Sequence, residues 1–485
     1  MKKGLFFVVL TLIFTALNSY AYEIVYPKSV NTSTYAKSTF FIGCVKKNET
    51  LKINGQKVKT ASNGAFAHVV KLKDGKNYFQ VSSEKIRGKY VKDYYITKKV
   101  APIVPREDMG LIEEAEKTVI VMKDNSILRN TPCDYGMNRI SLLAKDTYLL
   151  VDGCAGNFYR VKLSPTRYGW IKKSDVAYDK YSDETAGGYF KQNSTYTTDD
   201  EIIYTAIFNK NLPYEVKTTA AKVILNVFNV ENREDGIYSV TFDKPAFVTY
   251  SAYMRDGIFT LNIKNQDKFI KSNKLRGMNI VIDAGHGGNE TGSTGCLGTK
   301  EKDVNLKVAK MLKNNLKSLG ANVEMTRKGD ETVGLYDRVD FAKDNDAFIF
   351  VSIHFNAVPD GSDPIKSRGT SVYYYNPTAK DLAQAVQNGI VQKAQTKDNG
   401  IKTASFAVIR PTEYVGILVE SAFMINPEDS VLYTDNRFLE QLAEGISDGI
   451  QQYVSNNIDV YTEIKPIEHK KKHKFLFFGT KKDNL

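Results

Sequence analysis

The chain holds five histidines in 485 residues, at positions 68, 286, 354, 469 and 473. Two of them follow runs that read as strands. His286 comes just after Asn279-Ile280-Val281-Ile282-Asp283, and His354 just after Phe348-Ile349-Phe350-Val351-Ser352-Ile353. Glu420 closes Gly416-Ile417-Leu418-Val419, and Glu301 opens a helical stretch behind a glycine-rich loop. In open α/β sheets, sites form in the crevice beyond the carboxyl ends of the strands. That crevice would therefore receive two imidazoles and two carboxylates. Two histidines and one glutamate make a common catalytic zinc set with one position left for water. The ion lowers the pKa of water toward about 7, and a separate carboxylate can take that proton and pass it to a leaving amine. The glycines around His286 let the backbone turn tightly there. Each residue alone has an ordinary reading, because a buried histidine is commonly structural and a glutamate at a helix start complements the helix dipole. Their coincidence at strand ends is what points to a metal site.

The elements that must hold these residues follow from periodicity. After Gly277, short apolar strands alternate with helical stretches. Strands are predicted at 278–283, 323–326, 347–353, 371–375 and 415–419, and helices at 301–319, 335–343, 379–394 and 437–454. In the first helix Val304, Val308, Met311, Leu312, Leu316 and Leu319 share a face, and Gly320 ends it. This alternation predicts an α/β domain over 277–455, a mostly parallel sheet with helices on both faces.

Small all-β domains are predicted upstream. Residues 22–100 carry three hairpin signals, Asn54-Gly55, Asn63-Gly64 and Asp74-Gly75, between alternating segments. They read as type I′ turns, with positive φ at both central residues, in a β-sandwich. His68 lies in one of its strands and reads as structural. Pro102, Pro105 and Gly110 mark a linker. Residues 115–178 are again β-like and end in Gly169-Trp170-Ile171 and Ser174-Asp175-Val176, which resembles a bacterial SH3-like domain. The sole tryptophan, Trp170, is expected in the core, with a ligand groove as the alternative. A second linker spans 181–193, and 195–270 is a third β-rich region.

Composition narrows the setting. The chain is 42% hydrophobic and 25% charged, with mean hydropathy −0.34, which excludes a wholly disordered or membrane-embedded chain. At about 100–200 residues per domain it holds three or four domains. Lys2 and Lys3 precede an apolar run from Leu5 to Leu17, and Ser19-Tyr20-Ala21 follows. This predicts a secretory signal peptide over 1–21. No later segment is apolar enough to span a bilayer. The net charge of +12 favours acidic partners, and export points away from nucleic acid and toward anionic envelope polymers. A basic tail, 456–485, reads as flexible and as a possible contact for such polymers. His469 and His473 there are not expected to bind metal. Export also permits disulfides. Cys133 and Cys154 could pair, or all four cysteines could be free thiols, and their spacings match no zinc finger or ribbon.

Five ordered motifs carry a family resemblance. They are Ile-Val-Ile-Asp-Ala-Gly-His-Gly-Gly at 280–288, Glu-Lys-Asp-Val-Asn-Leu at 301–306, Met-Thr-Arg at 325–327, Val-Ser-Ile-His-Phe-Asn-Ala at 351–357 and Leu-Val-Glu-Ser-Ala-Phe-Met-Ile-Asn-Pro at 418–427. Together they resemble the zinc-dependent N-acetylmuramoyl-L-alanine amidases of the amidase-3 family. The resemblance implies that His286, Glu301 and His354 bind Zn²⁺ and that Glu420 is the catalytic glutamate. The bond cut would join N-acetylmuramic acid to the L-alanine of a peptidoglycan stem peptide. Arg327 and Arg338 match family positions near the site, and with Asn356 they are expected to bind substrate. The arginines could order loops or meet a stem-peptide carboxylate. The 195–270 region resembles the envelope-targeting β-sandwiches that precede some of these enzymes. Two departures are mild: Glu290-Thr291-Gly292 stands where many relatives have Asp-Pro-Gly, and Ala422 replaces a glycine. Some relatives carry an inhibitory helix after the second histidine, and Val358 to Ser371 is too short for one. Cys296, between His286 and Glu301, reads as a bystander. The rival readings are a zinc peptidase acting on wall peptides and a non-catalytic peptidoglycan-binding protein. In each case the chain would work in the cell envelope, in the periplasm or the wall.

Overall fold

The structure is a computed structural model that describes residues 22–85, 88–101, 110–178, 185–198, 201–219, 222–243, 248–265 and 275–463. The signal segment 1–21, Pro102 and Pro105, and the tail from 464 onward lie outside the described residues.

The site-bearing domain is built on one six-stranded sheet. Its elements in chain order are β1 (Asn279–Ala284), α1 (Glu301–Ser318), β2 (Asn322–Met325), α2 (Leu335–Asp344), β3 (Ile349–Asn356), β4 (Thr370–Tyr374), α3 (Lys380–Ala394), β5 (Asp398–Thr403), β6 (Val415–Phe423), α4 (Pro427–Tyr433) and α5 (Asn436–Glu463). The strand order is β2-β1-β3-β6-β4-β5. The sheet is mixed: β2, β1, β3 and β6 run parallel, β4 is antiparallel to β6, and β5 is parallel to β4. Strand alternation sorts the side chains. Ile280, Ile282, Val351, Ile353, Ile417 and Val419 face one way and pack under α1, α3 and α5. Val281, Phe350 and Leu418 face the other way and pack under α2 and the turn at Ala407–Ile409. The central strands are buried on both faces, which explains their nearly continuous apolar sequence.

Sequence and structure differ in places. β3 and β6 run past their apolar runs, so His354, Asn356 and Glu420 lie on strands rather than after them. α5 continues beyond Val454 to Glu463, into the segment read as tail. β5 carries no apolar alternation, because it is an edge strand whose one neighbour is β4. α4 did have a signal: Asn426 caps it, accepting from the backbone N–H of Glu428 and Asp429, and Pro427 follows.

Upstream, three β regions precede this domain. The first has a three-stranded sheet and a five-stranded sheet closed over one core, which includes Phe41, Phe66, Phe79 and Tyr94. Among its three hairpin signals, only Asn54-Gly55 has positive φ at both residues. At the others the glycine alone is left-handed, so those are not type I′ turns. The second region is one seven-stranded sheet. Trp170 does not join its core. It is half-buried and stands opposite the buried Gly169 and Ile171, with Arg129 and Arg160 as cross-strand partners. The third region pairs a four-stranded and a three-stranded sheet, and its Phe228 enters the core of the second. All four cysteines are free thiols, so Cys133 and Cys154 do not pair.

The β regions dock on opposite edges of the α/β sheet. The third sits at the amino ends of the strands: Tyr250 N–H donates to the Thr412 carbonyl at 2.8 Å, and Lys264 pairs with Asp346 at 2.7 Å. The first sits at the carboxyl ends. Its Phe40, Ile42, Ala65 and Ala67 pack against Cys296 and Ile425, with Ala357 and Val358 beside them. Tyr26 and Thr39 donate their hydroxyls to Asp360, at 2.9 and 2.6 Å. The segment 357–369 forms no helix and serves as this docking loop.

Candidate metal centre

His286, Glu301 and His354 come together. One potential ligand atom from each lies within 4.8 Å of the others. Glu301 Oε1 sits 3.1 Å from His286 Nε2 and 3.0 Å from His354 Nδ1. Three elements bring them there: the turn after β1, the first residue of α1, and β3. Glu301 is buried. Burial alone would raise its pKa, but the hydrogen bonds and charges of the two histidines hold it well below the usual carboxylate range. His354 is buried enough that desolvation would lower its pKa, yet the hydrogen bond and charge of Glu301 raise it.

Glu420 is the direct β6 partner of His354 on β3, so parallel register sets the fourth residue beside the cluster. Burial pushes its pKa up to about 7, helped by the charge of Glu301 and opposed by His354 and Lys402. Its Oε2 is buried without a hydrogen-bond partner. An orphaned buried carboxylate oxygen beside two imidazoles and a carboxylate is a donor set that suits a hard or borderline dication.

The loop geometry depends on two glycines. A Cβ at Gly285 would lie 2.2 Å from the His354 ring. A Cβ at Gly292, which has φ +65°, would lie 2.5 Å from Glu301 Oε2 and 2.6 Å from His286 Cδ2. His286 itself takes the left-handed φ of 61°, which non-glycine residues seldom adopt and which marks functional turns. Thr291-Gly292 thus keeps the glycine that this close approach requires.

Arg327 and Arg338 do not face outward. They are 3% and 4% exposed, and both guanidiniums are used inside the protein. Arg327 donates to the carbonyls of Ala284, Gly285, Lys302 and Gly329. Arg338 donates to Asp283 Oδ1 at 2.5 Å and to the carbonyls of Ala284, His286 and Val333. Both side chains brace the turn that carries His286. Asp283 is the hub. It also accepts from Thr326 and Ser352, each at 2.7 Å. Its burial would raise its pKa, and Arg338 with the two hydroxyls holds it below the ordinary range. The signal for this network was an aspartate inside the apolar run Ile280-Val281-Ile282, since a buried charge requires a partner. Asn356 ends β3. Cys296 lies outside the cluster: it is buried in the docking contact, and its thiol donates to the Ile425 carbonyl.

His286, Glu301 and His354 thus form a candidate metal site on a mixed α/β sheet. The N-acetylmuramoyl-L-alanine amidase family profile matches residues 280–452. The chain is 35% identical to a probable cell wall amidase LytH of Staphylococcus epidermidis over 192 residues, 39% of this chain and 63% of that protein. It is 34% identical to the uncharacterized protein YqiI of Bacillus subtilis, covering 37% of this chain and 86% of that protein. An N-acetylmuramoyl-L-alanine amidase from Clostridium difficile 630 superposes with a TM-score of 0.36, at 34% identity, over 37% of this chain and 98% of that one. This chain belongs to the amidase-3 family. It spans just under two thirds of the length of the LytH relative.

Proposed function

We propose that this chain is a peptidoglycan hydrolase that cleaves the amide between N-acetylmuramic acid and the L-alanine of the stem peptide. The observation that carries this reading is the His286–Glu301–His354 cluster with the orphaned Glu420 carboxylate beside it. His286, Glu301 and His354 would hold Zn²⁺, since two imidazole nitrogens and one carboxylate oxygen are a common catalytic zinc set. When bound, zinc supplies Lewis acidity at the scissile carbonyl and acidifies water.

The remaining work belongs to the chain. Glu420, with a pKa near neutrality, is matched to take a proton from the attacking water and return it to the amine nitrogen as the C–N bond breaks. Arg327 and Arg338 hold the carbonyls of the His286 turn, and Asp283 holds Arg338 in place. This bracing keeps His286 in its left-handed backbone without a flexible loop. Tyr373, Phe406 and Lys402 line the approach to Glu420. The two rings meet edge to face at 5.5 Å, and the Lys402 ammonium lies 5.7 Å from the Tyr373 ring. The chain would be exported through residues 1–21 and work in the cell envelope, with an SH3-like second region.

The test is mass spectrometry of muropeptides after digestion of purified sacculi. Stem peptides with free L-alanine amino termini and unsubstituted muramic acid should appear, and chelator should stop their release. Glu420→Ala should keep zinc and lose the activity. Full activity in that variant, or products cut within the peptide, would sink the reading.

A further inference from the structure

The charge is unevenly distributed. Residues 22–100 hold 16 lysines and arginines against 5 acids, a net +11 of the chain's +12. Residues 277–455 hold 18 against 23, a net −5. Even if every acid of the β-sandwich were paired, eleven cations would stay uncompensated within it. The contacts described between it and the α/β domain are hydroxyls on Asp360, the Asn63 amide on Ser430, the Gly361 N–H on the Ser38 carbonyl and apolar side chains.

The two sheets of the sandwich have different neighbours. The three-stranded sheet lies between the sandwich core and the α/β domain, with Phe41 and Phe66 on its inner face and Phe40, Ile42, Ala65 and Ala67 against Cys296 and Ile425. The five-stranded sheet covers the other side of the core, so its outer face points away from the α/β domain. Phe79, Val81, Tyr94 and Ile96 point inward, and alternation turns Tyr78 and Tyr95 outward. Their rings lie 5.6 Å apart, and the Lys76 ammonium sits 4.2 Å from the Tyr95 ring centroid. Tyr78 is held: its hydroxyl donates to Asp93 at 2.8 Å and accepts from Gln80 at 3.1 Å. Tyr78 is 48% exposed. Register turns Lys57 to the same outer side, away from the buried Ile53, and Lys73 is exposed in the loop that leads into the strand of Tyr78. The face therefore combines fixed aromatic rings, amide and carboxylate hydrogen-bonding groups and ammonium groups.

We infer that this outer face binds intact peptidoglycan, its rings against sugar faces and its lysines on stem-peptide carboxylates. The inference rests on the proposed substrate. Peptidoglycan fits because it repeats both chemistries along one insoluble polymer, uncharged sugar faces beside carboxylates. Holding the polymer at one face raises the effective concentration of stems at the catalytic crevice.

The test uses the full chain. Binding is measured in a Glu420→Ala background by sedimentation with purified sacculi from which phosphate-containing polymers have been stripped by acid. Lys57→Gln/Lys73→Gln/Lys76→Gln should bind about tenfold more weakly, with a flatter salt dependence. Tyr78→Ala/Tyr95→Ala should lose a comparable amount with the salt dependence kept. In the active background both variants should turn over sacculi more slowly and a soluble disaccharide-peptide at the parent rate, which also shows that they are folded. Parent-like binding by both variants overturns the proposal. So does a parent that binds only unstripped walls, since the ligand would then be a phosphate polymer. A parent that binds stripped sacculi but does not cut the soluble fragment refutes the substrate reading and leaves the binding face standing.

Discussion

The β-sandwich of residues 22–100 and the α/β domain handle charge in opposite ways. In the α/β domain the informative charges are buried and spoken for. Asp283, Arg338 and Arg327 are each under 4% or at 4% exposed and close a network beneath the His286 turn. In the sandwich the charge is in excess and exposed, with Lys57, Lys73 and Lys76 in solvent. A buried pair is costly to break, because the survivor is left desolvated. An exposed lysine contributes little to folding and is available to a partner. One region spends its ions on geometry, the other offers them for binding.

The sharpest way to break this contrast is Arg338→Ala. It strands the buried Asp283 and should cost about 3–5 kcal/mol, read from the denaturant midpoint. A loss below about 1 kcal/mol would show that the network is not structural. In the parent, the depressed pKa of Asp283 gives stability that is in place above its unfolded pKa of about 3.9 and is lost as pH falls through the folded value. Arg338→Ala should flatten that acid limb.

Gly285→Ala probes the same region without touching a charge. The added methyl would meet the His354 ring, and zinc affinity should fall by about 10–100-fold. Unchanged metal uptake in a competition titration would mean that the ring can shift freely. At the junction, Asp360→Ala removes the acceptor shared by Tyr26 and Thr39. It should cost about 1–3 kcal/mol and make the sandwich more open to limited proteolysis. Equal cleavage rates would argue that the apolar contact alone holds it. The smallest effect is expected from Lys57→Gln/Lys73→Gln/Lys76→Gln, with stability within about 0.5 kcal/mol of the parent per site. A large drop in melting temperature would place these lysines in the fold rather than on a binding face.

Much of the candidate site could be read without coordinates. His286, His354 and Glu420 follow apolar runs that read as strands, Glu301 opens an amphipathic helix, and such element ends are locally encoded by alternation and length. The amphipathic face of α1 and the glycine that ends it are local as well. What could not be read depended on partners far along the chain. Whether Arg338 meets solvent or Asp283 is decided across 55 residues, and whether Trp170 is core or surface is decided by its neighbours on other strands. β5 carries no apolar pattern, because an edge strand does not require one.

By itself, then, the sequence determined the types of the four site residues, the alternation of strands and helices that carries them, and the location of the net charge. Tertiary structure alone decided that His354 and Glu420 are register partners, that two arginines brace the His286 turn, and that the sandwich docks on 357–361 with its tyrosine and lysine face turned outward. The physical reason is range. Periodicity and turn chemistry act between neighbours in the chain, whereas pairing register, ion-pair choice and domain docking are settled by which distant surfaces can be desolvated together.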